Sequence, residues 1–184
     1  MLRRRIETFF VILALGVAAT IGAARVWPEP GRGFWWRLAA IASMPPALDT
    51  IDITQTDRHS TPNDALVCPE RVCQKATADI LAPIFPVPAG ELQRKVGLVA
   101  MSEPRTEELA CPADTDCSKQ SAFVQYSALF MWPDVIDVRV LDAGASASTL
   151  VIYSRSVFGY TDLGVNRVRI ERWLAALHRV TSKF

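Results

Sequence analysis

The stretch "SRSVFGYTDLGVNRVRIERW", Ser154 to Trp173, decides how this chain folds. It runs out of an alternating apolar segment, "STLVIYSRS", crosses a turn held by Gly159 and Gly164, and enters a pattern with helical spacing. Glycine gives such a turn backbone angles closed to other residues. Val151, Tyr153 and Arg155 leave the strand on one face. The spacing predicts a final helix over about Leu163–Val180, with Val165, Val168, Trp173, Leu174 and Leu177 as its buried stripe. Asp162 stands where a carboxylate caps free helix N–H groups.

Upstream, the second half reads as a meander. "TEELAC" is a short strand. "SAFVQYSALF" places Val124, Tyr126, Ala128 and Phe130 on one side. "PDVIDVRVLD" places Ile136, Val138 and Val140 on one side, with Asp137 and Arg139 opposite. Period two with one apolar face predicts an antiparallel sheet covered on one side. In the first half, "ALDTIDITQT" reads as a short edge strand and "RHSTPNDALVCPERVCQ" as loop, with a turn at Pro62, Asn63 and Asp64. Gln74–Leu81 offers a weak helical turn. "PAGELQRKVGLVAMSEP" reads as a helix with Leu92, Val96 and Val99 on one face, closed by Pro104. The fold class expected is α+β, with a four- or five-stranded antiparallel sheet, helices packed on one face, and an N-terminal apolar helix.

The chain has 184 residues, half of them apolar, and a mean hydropathy of +0.17. That suits one packed domain plus a membrane segment and argues against disorder. Arg3, Arg4 and Arg5 precede a run from residue 8 to residue 24 with no charge. As a helix this run covers roughly 25 Å, the short end of what a bilayer core of about 30 Å requires. Gly22 and Ala24 also suit a signal-peptide cleavage site, so an uncleaved anchor and a cleaved signal both stand. Trp27, Phe34, Trp35 and Trp36 follow directly, where indole rings favour the headgroup zone. Residues 1–24 are therefore read as anchor or signal, 25–46 as an aromatic juxtamembrane lead-in, and 47–184 as a single globular domain. Without three of the 20 basic and one of the 19 acidic residues, those in the first 24, the remainder carries 17 basic and 18 acidic. So neutral a domain has no footprint for nucleic acid.

The four cysteines fall in two close pairs, Cys68 with Cys73 and Cys111 with Cys117. Each pair brackets a proline-containing turn. Two local disulfides are the simplest reading and suit an oxidising compartment. The alternatives are a zinc site using all four thiolates, whose usual spacings are shorter, and free thiols.

Catalytic residue types are sparse. His59 and His178 lie far apart, no metal-ligand spacing occurs, and no nucleophile elbow or phosphate loop is present. Asp134 and Asp137 offer a carboxylate pair for acid–base work, or merely a solvated strand face. The opening stretch gathers Arg155, Tyr160, Asp162, Asn166 and Arg167. A helix N-terminus with arginines suits an anion pocket. The same residues suit a structural clasp in which Asp134, Asp137 and Asp162 take the arginines.

"YSRSVFGYTDLGVNRVRIERWL" resembles the C-terminal signature of the domain of unknown function fourteen-ninety-nine family. "TPNDALVCP" and "FMWPDVIDVRV" are similar to its upstream features, so the resemblance spans about Ala47 to Leu177. Arg155, Tyr160, Asp162, Gly164, Asn166 and Arg167 match the pattern. The resemblance implies a bacterial-envelope or plastid protein, often behind an anchor or targeting segment, with no established activity. The cysteine pairs lie outside the signature. The expectation is a single-pass inner-membrane protein with its domain in the periplasm, without a cofactor, serving as a binding or accessory module for an envelope protein or membrane complex. The alternative is a binder of, or enzyme acting on, a small anionic or lipid headgroup ligand at residues 155–167.

Overall fold

The computed structural model describes residues 52–58, 60–111, 116–129 and 131–182. The expected N-terminal apolar helix and the aromatic lead-in lie outside the described residues. Eight elements follow in order: β1 (Asp64–Cys68), β2 (Ile80–Leu81), α1 (Ala89–Ser102), β3 (Thr106–Glu108), β4 (Gln120–Tyr126), β5 (Pro133–Gly144), β6 (Ala147–Ser156) and α2 (Val165–Thr181). They form an α+β fold around one six-stranded sheet of order β2-β1-β6-β5-β4-β3.

Strands β3 to β6 form the predicted antiparallel meander. The rest of the sheet corrects the sequence reading. Residues 64–68, taken for loop, form β1, which pairs antiparallel with β6 from Asp64↔Arg155 to Val67↔Ile152. Residues 80 and 81, taken for the end of a helical turn, form β2, parallel to β1. The sheet is therefore mixed and has six strands. Residues 52–56 form turns where an edge strand was expected. The Asp52 carboxylate accepts the Thr54 N–H at 3.0 Å and its hydroxyl at 2.7 Å, and such an Asx turn competes with strand pairing.

Both helices pack on one sheet face. Leu92, Val96 and Val99 of α1 and Ile170, Trp173 and Leu177 of α2 meet Phe123, Ile136, Val138, Leu150 and Ile152 in the main core. Trp173 meets the Phe123 ring edge-on, with centroids 5.7 Å apart. The opposite face is covered in part, contrary to a sheet covered on one side: Leu66, Cys68, Val151 and Tyr153 pack with Ile53, Val72 and Ala78. α1 ends at Ser102, and Glu103, its C-cap, is extended just before Pro104, as the proline predicts. α2 corrects the predicted stripe. Val165 and Val168 are exposed, whereas Asn166 and Arg169 face the sheet and are buried. The helix is rotated so that these two polar side chains reach buried partners on β4, β5 and β6.

Candidate functional site

The strand-to-helix junction is built from its backbone outward. Gly164 occupies the N-cap position of α2 with φ +81, a left-handed conformation suited to glycine. The cap itself comes from Asp162, whose carboxylate accepts the N–H of Gly164 at 3.0 Å and of Asn166 at 2.7 Å. A negative side chain thus already occupies the positive end of the helix.

Beneath the junction lies a buried polar network centred on Arg169. Its Nε donates to Gln125 Oε1 at 2.6 Å, its Nη1 to Ser154 Oγ at 2.9 Å and Asn166 Oδ1 at 2.5 Å, and its Nη2 to Asp134 Oδ2 at 2.5 Å. The planar fork of donors suits such a divergent set of acceptors. Asn166 Nδ2 donates in turn to Asn63 O at 3.0 Å and Ser156 Oγ at 3.1 Å. Asn63 Nδ2 reaches Gly159 O at 2.8 Å, tying the turn to the chain entering β1.

A second set occupies the other sheet face. Arg155 pairs with Asp137 and lies over the Tyr153 ring, 5.2 Å from its centroid. Tyr153 donates its hydroxyl to Asp64 at 2.7 Å. Arg58 bridges Asp64 at 2.5 Å and Asp79 at 3.0 Å. The hydrogen bond to Asp64 holds the Arg58 pKa above its ordinary value against desolvation, and Asp79 adds to it.

Asp134 and Asp137 therefore do not form a carboxylate pair. Three residues apart on a strand, they point to opposite faces, and each holds its own arginine. Asp162 holds backbone rather than an arginine. Arg167 stands on the surface, 3.0 Å from Glu171 one turn on. An exposed i,i+4 pair contributes about 0.3–0.5 kcal/mol. Arg167→Ala is thus expected to leave Tm within about 2 °C of wild type, measurable by thermal unfolding; a loss of several degrees would reinstate it as part of the clasp. The sequence analysis gave the clasp Arg155 and Arg167 and did not include Arg169. The available signal was its three-residue spacing from Asn166 on a face that continues into Ile170, Trp173 and Leu177.

Above the network the junction presents apolar side chains. Tyr160 is 71% and Leu163 90% exposed, and Phe158, Val165 and Val168 are exposed beside them. Leu163 adopts φ +55, which costs a non-glycine residue about 1 kcal/mol. The β4–β5 connection adds exposed Leu129 and Trp132 at the same end, where Val157 N–H bonds Pro133 O at 3.1 Å.

Cys68–Cys73 and Cys111–Cys117 are disulfides. His178 is exposed with its ring 5.1 Å from that of Phe85, and His59 lies outside the described residues. Among the described residues, no group of three His, Cys, Asp or Glu is arranged to hold a metal, and no helix is long and apolar enough to cross a membrane. A family model described as "Protein of unknown function (DUF1499)" matches residues 66–177, from within β1 to within α2. No curated protein matches the chain.

Proposed function

The chain belongs to the DUF1499 family, and from that premise we propose that it is a membrane-anchored periplasmic domain serving as a binding or accessory module for an envelope protein or membrane complex. The carrying observation is Leu163. It is 90% exposed and held at φ +55, so it gives the fold neither burial nor a relaxed backbone. Its neighbour Tyr160 is likewise exposed, while Asp162, Gly164 and Asn166 around them hold the turn. A rigid base that presents apolar side chains to solvent suits a docking surface. The two disulfides suit an oxidising compartment, and the uncharged run at residues 8–24 suits an inner-membrane anchor.

The reading is tested by affinity purification of the tagged full-length chain from mildly solubilised membranes. Wild type is expected to co-purify in defined stoichiometry with a larger assembly. The Tyr160→Ala, Leu163→Asn double variant is expected to lose it with Tm unchanged or slightly raised, because asparagine tolerates positive φ better than leucine. A wild-type chain that runs as a lone monomer ends the proposal.

A further inference from the structure

A second surface lies at the opposite end of β4. A groove of about 600 Å³ runs between α1 and the chain just after β3, lined among others by Gln93, Gly97, Glu108, Ala110 and Gln120. Three independent observations concern it. First, among the described residues β3 is the last strand of the sheet and pairs only with β4. Tyr126 N–H bonds Arg105 O and Leu109 N–H bonds Ala122 O, so antiparallel alternation turns the backbone groups of Glu108 and Ala110 away from β4. They lie along the groove with no described hydrogen-bond partner. Second, Gln93 Oε1, on the α1 side of the groove, is buried without a hydrogen-bond partner among the described residues. Buried amide atoms are seldom left unmet. Third, Gly97 sits inside α1, where glycine is the least favourable residue after proline, although a Cβ there would meet nothing within 4 Å. The helix forgoes stability and leaves open space above the groove.

We propose that this groove takes an extended peptide segment of a partner protein, added as a further strand along β3. A peptide backbone repeats donor and acceptor at the spacing of an open strand edge. The rim carries Arg94 and Glu108, one charge of each sign, which fits a neutral backbone rather than an anion or a cation. This surface is independent of the apolar junction, so the two readings stand or fall separately.

The probe is a displayed library of random twelve-residue peptides, selected on the full-length chain in detergent. Enriched peptides are expected to slow amide exchange at Glu108 and Ala110. Glu108→Pro removes an outward N–H and leaves the ladder to β4 intact, and is expected to weaken the selected peptides at least tenfold. Gly97→Leu fills the open space and is expected to do the same; Gly97→Ala should raise Tm by a few degrees. Tyr160→Ala with Leu163→Asn should leave peptide binding unchanged, which separates this site from the junction. No enrichment, or peptides indifferent to both Glu108→Pro and Gly97→Leu, overturns the proposal. A dimer of the chain that Glu108→Pro abolishes would also overturn it, by making a second copy the occupant.

Discussion

Asp134→Ala is expected to lower Tm by roughly 10–20 °C. Arg169 is 3% exposed, and Asp134 is its sole carboxylate partner among the described residues. Removing the acid leaves a guanidinium buried without a counter-charge, at a cost of about 3–5 kcal/mol. The total stability of such a domain is about 5–15 kcal/mol, and each kcal/mol corresponds to about 3–5 °C at this size. The pair itself is worth less than that loss, because bringing both charges out of water is itself unfavourable. The combination Asp134→Leu with Arg169→Met is therefore expected to recover only part of the loss, because it also takes the donor from the buried Gln125 Oε1. Urea unfolding of wild type, both single variants and the double variant gives the coupling directly. If Asp134→Ala melts within 3 °C of wild type, the network does not hold the junction.

The second large effect is at Trp173, which is 1% exposed and set between both helices and the sheet. Trp173→Ala removes the ring that meets Phe123 and leaves a cavity, costing about 3–5 kcal/mol. Trp173→Phe is expected to cost much less. It retains an aromatic contact with Phe123, and it removes an indole N–H that is buried without a hydrogen-bond partner; leaving such a donor unmet costs about 1–3 kcal/mol. The two terms oppose each other, so the expected net change for phenylalanine is under about 1.5 kcal/mol. Denaturant midpoints of the two variants check the order, and equal losses would show that the tryptophan is chosen for its N–H rather than its volume.

These residues also mark where the sequence was legible. Strands β5 and β6 were readable, with Ile136, Val138 and Val140 toward the helices and Val151 and Tyr153 on the opposite face. On β4 the strand was readable but its face was not: Val124 and Tyr126 were taken for the apolar side, whereas Phe123 enters the core under the helices, because β4 is buried on both faces. β1 was not readable. Its five residues, "DALVC", stand among turn formers, and the last four are buried whichever face they point to, so no period of two survives. On α2, apolar Val165 and Val168 were counted toward the core and polar Asn166 and Arg169 were not. Their burial depends on partners far along the chain. Asn166 bonds the carbonyl of Asn63, 103 positions away, and no local pattern encodes a contact over that distance. For the candidate site, the turn chemistry and the role of Asp162 at the helix start were local and could be read. Which arginine would meet which acid followed from strand register, which the sequence left open.

The place of β1 in the sheet governs the order in which the domain can assemble. β1 is the earliest strand of the sheet, and its long partner is the latest: Asp64 and Tyr153, hydrogen-bonded across β1 and β6, stand 89 positions apart. A chain delivered from its N-terminus, by ribosome or by translocation channel, exposes β1 long before β6 arrives. During that interval "ALVC" is an unpaired apolar strand open to wrong partners. The equilibrium cost of closing so long a loop is modest, growing by only about 0.6 kcal/mol for each doubling of length, so the burden falls on rate rather than stability. Nucleation falls naturally to the local β3–β6 meander, with β1 docking last against its completed edge. Substitutions in β1 then accelerate unfolding more than they slow folding, and a chain released short of Ala147 has no seat for its first strand.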